Sequence, residues 1–354
     1  MSKTIALIYG GSSGEHEVSC VSASYIDKNL RAAGYSVVNI FLSKTGQWHL
    51  QESVVEKSAE NRVNPADLIV SKENPLIRTN DGDIEFDFVF PIIHGPTGED
   101  GALQGLLEFY NIPYAGAGIY CSSLCMDKYF SRETFAKNKI PQVKYERFSK
   151  SEWEKKSISE AILSSFEFPV FIKPCCMGSS VGVSLVNQES ELKQALELAF
   201  KYDNFILCEE GRNVREVEVS ILGNYPDYEV SCAGEIISNH TFYSYEAKYL
   251  DAHGADLIIP AKLSEKEVET IKLIAKEAFK AVNGDGFARI DFFIDKDSGE
   301  ILLNEINTLP GFTPISMFPL LWQKSGIEGT SLVNKIVDLG QERNNYKKAI
   351  SVLK

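Results

Sequence analysis

Long apolar runs are absent from this sequence of 354 residues, although 44% of its residues are hydrophobic. No stretch reaches the roughly 18 consecutive apolar residues of a membrane-spanning helix, so no membrane partner is expected. The apolar stretch Ile5–Tyr9 is also too short for the hydrophobic part of a secretory signal. We therefore expect a cytoplasmic protein, and its length suits two or three domains.

Positive charge is scarce, with 36 lysine and arginine residues against 49 aspartate and glutamate residues and a formal net charge of −13. A nucleic acid partner requires a basic surface, so none is expected. The seven cysteines include no C-x-x-C pair, which argues against a zinc or redox motif. We expect free thiols in a reducing compartment.

The familiar phosphate-binding loops are missing as well. No glycine is followed by lysine, which excludes a Walker A loop, and neither G-x-G-x-x-G nor H-E-x-x-H occurs. The segment Gly10–Gly14 fits the G-x-S-x-G pattern of α/β-hydrolases, but it follows the first predicted strand and leaves no room upstream for an oxyanion loop. A glycine-rich turn at a helix N-terminus is the better interpretation, and its N–H groups suit a carboxylate or phosphate.

The first third of the chain alternates strand and helix patterns. Apolar runs at Thr4–Gly10 and Ser36–Ser43 flank a helical pattern over Val18–Ala33, and this β-α-β order predicts a parallel sheet. Residues 44–85 are polar and broken, which indicates a small hairpin insert with loops. A further strand at Phe86–Ile93 precedes a helix from about Ala102 to Tyr110, and the first domain is expected to end near residue 125.

Strand patterns dominate the rest of the chain, with helices between them. The capping box formed by Ser264 and Glu267 opens a helix, and the turn Asp297–Gly299 predicts a hairpin. The predicted strands are Val170–Lys173, Phe205–Glu209, Glu216–Leu222, Val230–Ile237, Phe292–Ile294 and Ile301–Asn304, and the predicted helices are Glu191–Phe200 and Glu265–Asn283.

Four polar side chains lie on two neighbouring predicted strands near the C-terminus. Alternation along a strand places Arg289 and Asp291 on one face, and it does the same for Glu305 and Asn307. If the two strands pair, these groups converge, and their oxygen atoms suit Mg²⁺ that carries nucleotide phosphates. A solvated hairpin face is the alternative, but the strongly apolar flanks of both strands argue against it.

Four other segments carry weaker signals, each with a structural alternative. The glycine- and serine-rich loop Met177–Gly182 follows a strand that ends in Lys173, and it could cover a triphosphate or be an ordinary loop. The acidic strand end Leu207–Glu210 could bind adenine and ribose or be a solvated edge. The aromatic segment Tyr243–Tyr249 could be core, and the histidine of His94–Glu108 could be structural.

Taken together, eight segments resemble the D-alanine–D-alanine ligases, a family of ATP-grasp enzymes, in order and along nearly the whole chain. The resemblance implies an α/β and α+β fold: a Rossmann-like parallel-sheet domain at residues 1–125, then ATP-grasp subdomains at 126–217 and 218–354. The segments are GGSSGEHEVS (10–19), HGPTGEDGALQG (94–105), MDK (126–128), FIKPCCMGSSVG (171–182), REVEVSILGN (215–224), FYSYEAKY (242–249), ARIDFF (288–293) and NEINTLPGFTP (304–314).

The resemblance also implies a role for individual residues. Two Mg²⁺ (or Mn²⁺) ions would be held by Asp291, Glu305 and Asn307. The residues implied for ATP are Lys128, Lys173 and Lys248 for the phosphates, Glu209, Glu210 and Glu216 for adenine and ribose, and Ser180 and Asn304. The residues implied for D-alanine and catalysis are Glu15, Val18, His94, Ser179, Tyr249, Arg289, Gly311, Ser316 and Met317.

Within that set, Glu15 would hold the ammonium group of the first D-alanine and would form a hydrogen-bonded triad with Ser179 and Tyr249. Arg289 and the N–H of Gly311 would stabilise the oxyanion. Ser316 and Met317 would seat the carboxylate of the second D-alanine, and His94 would lie beside the phosphoryl group.

The implied reaction forms D-alanyl-D-alanine through a D-alanyl phosphate for peptidoglycan precursor synthesis, in a homodimer. A D-alanine–D-serine or D-alanine–D-lactate ligase is the alternative, and Tyr249 favours D-alanine because the family has Phe there when D-lactate is the acceptor. A non-catalytic ATP-grasp-like binding protein is a second alternative, against which the intact Arg289 and Asp291 argue. The sequence departs from the family at Cys175–Met177 in the loop and at Gly211-Arg212.

Overall fold

Three β-sheets, each covered by helices, make up the described part of the chain. The structure is a computed structural model that describes residues 3–54, 64–69, 75–80, 82–154, 158–238 and 255–350. Within these ranges, no helix combines the length and apolar character needed to cross a membrane. The helices are α1 (His16–Ala32), α2 (Ala102–Phe109), α3 (Ile119–Met126), α4 (Lys128–Lys137), α5 (Lys150–Glu154), α6 (Ile158–Ser165), α7 (Glu189–Ala199), α8 (Glu265–Ala281), α9 (Met317–Lys324) and α10 (Gly329–Ala349).

The first sheet is mixed rather than wholly parallel. Its strands are β1 (Thr4–Gly10), β2 (Ser36–Leu42), β3 (Trp48–Gln51), β4 (Asn64–Ile69), β5 (Leu76–Thr79), β6 (Gly82–Glu85) and β7 (Phe88–Ile92), in the order β6-β5-β4-β3-β2-β1-β7. β1 pairs in parallel with β2 and β7, as predicted, whereas β3 to β6 are antiparallel. The hairpin predicted within residues 44–85 is present as β5 and β6, but the strands β3 and β4, which join it to the first sheet, were not predicted from this broken pattern.

Helix α1 connects β1 to β2 and begins two residues earlier than predicted. Glu15 is its N-cap residue, so this side chain lies directly at the helix N-terminus. Gly34, with φ of 90°, follows the last turn, as the stop signal predicted. The strand end at Gly10 and the start of α1 together place Glu15 at the carboxyl edge of the first sheet.

The C-terminal helices pack on the first sheet. Ile5 and Leu7 of β1 share a hydrophobic cluster with Phe318 of α9 and Leu332 of α10, all of them fully buried. The segment that joins the third sheet to these helices enters the same cluster through Phe312. The N-terminal and C-terminal parts of the chain therefore have a common core.

The second and third sheets are antiparallel. The second has the order β10-β9-β11-β8, and the third has the order β15-β14-β12-β16-β17 with β13 paired to β12. Helix α7 packs on the second sheet and α8 on the third. The strands of the second are β8 (Tyr145–Ser149), β9 (Val170–Pro174), β10 (Ser184–Val186) and β11 (Phe205–Glu210), and those of the third are β12 (Val214–Asn224), β13 (Asp227–Val230), β14 (Gly234–Ser238), β15 (Ala255–Ile258), β16 (Gly286–Asp295) and β17 (Ile301–Asn307).

Two details of the third sheet differ from the sequence predictions. The predicted strand Val230–Ile237 is divided, because one extra residue between Val230 and Gly234 shifts the pairing with β12 by one position, as a β-bulge does. The predicted boundary between the two ATP-grasp subdomains, at residues 217/218, falls inside β12. The chain passes from the second sheet to the third at Gly211–Asn213. The capping box at Ser264 is present as predicted.

Candidate active site

The four polar residues predicted to converge lie on β16 and β17. Arg289 pairs with Asn307 across the two strands, and Asp291 pairs with Glu305, with a bulge directly after Asp291. Cross-strand partners project from the same face of a sheet. The prediction that these side chains gather is therefore confirmed by the strand register.

A third strand adds a carboxylate to this group. Glu218 of β12 pairs with Asp291, and its Oε2 lies 3.1 Å from Nε of Arg289. Both oxygens of Asp291 accept hydrogen bonds from Arg289, at 2.7 Å from Nε and 2.8 Å from Nη2. Burial alone would lower the pKa of the Arg289 guanidinium, but Asp291 and Glu218 more than offset burial and raise that pKa well above its usual value.

The chemistry of this cluster fits a divalent cation. Asp291, Glu305 and Asn307 offer only oxygen donors, which magnesium prefers. Glu305 also lies 3.8 Å from Nζ of Lys128. The carboxylates of Asp291, Glu305 and Glu218 outnumber the two cations beside them, Arg289 and Lys128. A divalent cation would offset this excess of negative charge.

A cavity beside this cluster lies between the second and third sheets. Apolar side chains form part of its wall, among them Phe171 of β9 and Phe293 of β16, and polar groups converge on it. That combination is typical of a small-molecule site. The residues predicted for ATP that line it are Lys128, Lys173, Ser180, Glu209, Glu210, Glu216 and Asn304. Lys248 lies outside the described residues.

Glu209 lies at the floor of the cavity between two cations. Its Oε2 is 2.6 Å from Nζ of Lys173, and its Oε1 is 2.5 Å from Nη2 of Arg132. Burial would raise the pKa of this carboxyl group, but Arg132 and Lys173 lower it to about 2. The Glu209 carboxylate is thus engaged in holding Lys173 in place. The sequence analysis missed Arg132, although it lies four residues after Lys128 on the same helix.

The loop between β9 and β10 contacts the N-terminus of α1. The hydroxyl of Ser179 donates a hydrogen bond to the carboxylate of Glu15, and Nζ of Lys128 donates to the carbonyl of Met177 at 2.6 Å. Ser179 and Ser180 both have left-handed backbone conformations, with φ of 50° and 58°. Such strain in non-glycine residues is often found at ligand-binding sites. The two predicted partners Glu15 and Ser179 are therefore in contact, whereas Tyr249 lies outside the described residues.

His94 is buried between the first sheet and the segment after β17. Its Nδ1 lies 2.9 Å from the carbonyl oxygen of Leu309 and 3.5 Å from Oε1 of Glu99. Because a carbonyl only accepts, Nδ1 carries a proton. Burial and the nearby Glu15 raise the pKa of Glu99. Burial would lower the pKa of His94, but Glu99 and Glu15 raise it above its usual value. The sequence analysis named His94 but missed Glu99, five residues later.

Gly311, Ser316 and Met317 lie together at the N-terminus of α9. Ser316 is the N-cap residue of that helix and Met317 its first residue. A side chain at Gly311 would come within 2.8 Å of the Ser316 hydroxyl, so this backbone approaches closely. The helix N-terminus at Ser316 suits a carboxylate.

Val18, which was also predicted to contact the substrate, lies half-buried in the first turn of α1.

Two family profiles match the chain, one in its N-terminal part and one in its C-terminal part. Residues 4–117 match the profile described as "D-ala D-ala ligase N-terminus", and residues 134–338 match "D-ala D-ala ligase C-terminus". The chain belongs to the D-alanine–D-alanine ligase family. The predicted fold class, a Rossmann-like domain followed by an ATP-grasp fold, is confirmed with it.

Individual members of this family resemble the chain over almost its full length. The D-alanine–D-alanine ligase of Thermoanaerobacter sp. (strain X514) is 41% identical over 353 residues, which cover 98% of both chains. The structure of the D-alanine–D-alanine ligase from Coxiella burnetii superposes with a TM-score of 0.87 at 33% identity, over 98% of this chain and 96% of that one. The VanG D-Ala:D-Ser ligase from Enterococcus faecalis has a TM-score of 0.86 at 31% identity, over 96% and 100%.

Arg212, one of the residues at which the sequence departs from the ligase family, lies at the cavity. Arg212 lies on the connection between β11 and β12 and lines the cavity. Its guanidinium binds Glu210 at 3.1 Å on one side, and on the other it binds Glu300 at 2.9 Å and Asp295 at 3.6 Å. Arg212 therefore ties the end of the second sheet to the β16–β17 turn of the third.

Proposed function

We propose that the protein joins two molecules of D-alanine to D-alanyl-D-alanine and uses ATP as the energy source. Membership of the family supports this function. The observation that carries it is the gathering of Arg289, Asp291, Glu305 and Asn307 on one face beside the cavity. A non-catalytic binding protein would have no need of a largely buried guanidinium, that of Arg289, beside these oxygen donors.

In this proposal the cavity holds the nucleotide. Lys128 and Lys173 bind its phosphates, and Glu210 and Glu216 face its base and ribose. Glu209 acts through Lys173, because its carboxylate is buried between Lys173 and Arg132. The other residues assigned to ATP are Ser180, Asn304 and Lys248.

Asp291, Glu305 and Asn307 would hold Mg²⁺ or Mn²⁺ in the proposed enzyme. Two such ions, when bound, would neutralise phosphate oxygens and so reduce the repulsion between the anionic groups that must meet. The oxygen-only donor set and the excess of negative charge support this assignment. Arg289 lies beside these ligands, where its guanidinium can stabilise negative charge on a reacting carbonyl.

The first chemical step proposed is attack by the carboxylate of one D-alanine on the γ-phosphate of ATP, which breaks the bond to ADP and leaves D-alanyl phosphate. Glu15 binds the ammonium group of this D-alanine, and Val18 lies beside it. Ser179 reaches Glu15 from the loop, which would exclude water from the reactive acyl phosphate. His94 lies near Glu15 and beside the phosphoryl group.

The second step is attack by the deprotonated amine of a second D-alanine on the acyl carbon. Arg289 and the N–H of Gly311 stabilise the oxyanion, and phosphate leaves when the carbonyl reforms. The N-terminus of α9 at Ser316 and Met317 binds the carboxylate of the second D-alanine. The close approach of Gly311 to Ser316 supports the assignment of both groups to one substrate.

The proposed acceptor is a second D-alanine. The likeness to a D-Ala:D-Ser ligase, at a TM-score of 0.86, keeps D-serine as the alternative acceptor, with D-lactate as the other. Tyr249 favours D-alanine. We also propose that the enzyme is a cytoplasmic homodimer acting in peptidoglycan precursor synthesis, with domains that divide near residue 125 and at Gly211–Asn213.

Phosphate release from ATP and Mg²⁺, measured across a panel of D-amino and D-hydroxy acids, tests this function. We expect D-alanine alone to support turnover and D-alanyl-D-alanine to be the product. Replacement Tyr249→Phe should raise the share of the D-alanine–D-lactate product when both acceptors are present. A wild-type protein that releases no phosphate with D-alanine, or that makes mainly the depsipeptide near neutral pH, contradicts the proposal.

A further inference from the structure

One carboxylate in the polar cluster has no part in the function proposed so far. Glu218 belongs to the alternating segment of β12, in which Glu216 and Glu218 project from one face of the sheet. Val217 and Val219 project from the other face, where they are buried under α8. Glu216 lines the cavity, whereas Glu218 lies deeper, with only 9% of its side chain exposed.

The contact of Glu218 is with Arg289, at 3.1 Å between Oε2 and Nε. The same Nε lies 2.7 Å from Oδ1 of Asp291, so the guanidinium is shared between two carboxylates. Both carboxylates contribute to the raised pKa of Arg289. A buried guanidinium requires at least one such partner, since an unpaired buried charge is strongly destabilising.

Two positively charged groups would bind the carboxylate oxygens of Asp291, namely Arg289 and the proposed metal ion. Both oxygens accept hydrogen bonds from Arg289, and the proposed metal ion needs at least one of them as a ligand. Each positive charge bound to a carboxylate reduces its attraction for the next, because both compete for the same negative charge. An arginine whose only partner was Asp291 would therefore compete with the metal.

We propose that Glu218 is a positioning residue that holds Arg289 over the reaction site so that Asp291 is left available to the metal ion. This inference rests on the proposed metal site and deepens it. Glu218 has two effects in the same direction: it gives Arg289 a second anionic partner, and it adds a negative charge to the cluster. Loss of its charge should weaken metal binding on both counts, although Glu218 itself touches neither the metal nor the substrates.

The chain provides a matched control in the same sheet. Glu235 of β14 is 8% exposed and Glu218 is 7% exposed, and Glu235 binds Arg215 through two hydrogen bonds of 2.7 Å. Neither Glu235 nor Arg215 lines the cavity. Replacement of Glu235 therefore disturbs a comparable glutamate–arginine pair of the third sheet at a place where no metal is proposed.

The experiment measures Mn²⁺ binding to the ADP complex by electron paramagnetic resonance for wild type, Glu218→Gln, Glu218→Asp and Glu235→Gln. We expect the Mn²⁺ dissociation constant to rise about 10- to 100-fold in Glu218→Gln, as is typical when a group that orients a ligand is lost. Glu218→Asp, which keeps the charge, should retain most of the affinity. Glu235→Gln should lower the melting temperature without changing Mn²⁺ affinity.

Two results separate failure of this inference from failure of the function on which it rests. If wild type binds Mn²⁺ and Glu218→Gln binds it equally well, Glu218 is only a structural partner of Arg289 and the inference is overturned. If wild type itself binds no Mn²⁺ in the presence of ADP, the proposed metal site fails, and the inference fails with it.

Discussion

Two clusters of charged residues border the same cavity with opposite compositions. In the first, the carboxylate of Glu209 lies between Arg132 and Lys173, so one negative charge opposes two positive charges. In the second, Arg289 lies among the carboxylates of Asp291, Glu218 and Glu305. The first cluster has an excess of positive charge and suits the anionic part of a nucleotide, whereas the second has an excess of negative charge and suits a divalent cation.

The comparison shows how this protein can bring a triphosphate and a carboxylate substrate together. Without its ligand, each cluster carries a net charge, and that charge is opposite in sign to the charge of the proposed ligand. Because both are largely buried, these charges act with less screening than they would at the surface. The predictions below test each cluster in turn and then the contacts around them.

Replacement Asp291→Asn removes one charge and one ligand from the negative cluster. We expect kcat to fall about 10³-fold or more, which corresponds to the several kcal/mol by which metal ions stabilise such reactions. Phosphate release at saturating ATP and D-alanine measures the effect. An unchanged melting temperature separates it from unfolding, and a kcat within threefold of wild type would contradict the assignment of Asp291.

Replacement Glu209→Gln should affect stability more than any other change at the positive cluster. It leaves Arg132 and Lys173 without their buried partner, and breaking a buried ion pair typically costs about 3–5 kcal/mol. We expect a lower free energy of unfolding in urea and a higher KM for ATP. Glu197→Gln, at an exposed pair with Lys193, is the control and should change neither quantity appreciably.

The pH dependence of stability tests the same carboxylate in the wild-type chain. The pKa of Glu209 is lowered from 4.5 to about 2 in the folded protein, so its stabilising contribution is present above pH 4.5 and is lost as the pH falls toward 2. Between pH 6 and pH 3.5 this one group should cost about 1 kcal/mol of unfolding free energy. Glu209→Gln should lack that part of the pH dependence, and equal slopes for both proteins would argue against the buried pair.

The contact between Ser179 and Glu15 joins the loop to the first sheet. A hydrogen bond to a charged group is worth about 1.5–3 kcal/mol, so Ser179→Ala should lower kcat/KM for D-alanine about 10- to 100-fold. The ratio of ATP hydrolysed to dipeptide formed should rise, because water gains access to the acyl phosphate. Ser151→Ala, on the exposed start of α5, is the control and should leave that ratio unchanged.

Arg212→Ala should have the smallest effect. This guanidinium is partly exposed, with 26% of its side chain accessible, and ion pairs of that kind contribute about 0–1 kcal/mol. We expect a rise of a few fold in KM for ATP with little change in kcat. Arg78→Ala, at an exposed pair with Asp83, is the reference, and equal behaviour of the two variants would show that Arg212 has no part in nucleotide binding.

The two clusters also differ in how far the sequence predicts them. Arg289 and Asp291 alternate on one strand and Glu305 and Asn307 on the next, so the period of the strand predicts that the four converge once the two strands pair. Arg132 and Glu209 are far apart in the chain, and their pairing depends on how helix α4 packs against the second sheet. No local pattern carries that information.

The same reasoning explains the other differences from the sequence predictions. Glu99 lies in a segment that was recognised, but its contact with His94 depends on how the turn between β7 and α2 folds. Glu218 lies in a segment with the alternation of an ordinary strand. Its contact with Arg289 depends on the pairing of β12 with β16, which the segment itself does not predict. The strands β3 to β6 are short, and each takes its place in the first sheet by pairing with the strand before it, in the order β2 to β6.

A crystal grown with ADP, a phosphorylated transition-state analogue and Mn²⁺ tests the central claim most directly through the anomalous signal of the metal. The account predicts metal positions in direct contact with carboxylate or amide oxygens of Asp291, Glu305 and Asn307, with Arg289 still in contact with Glu218. Metal bound elsewhere in the cavity, with those three side chains turned away from it, would contradict the account.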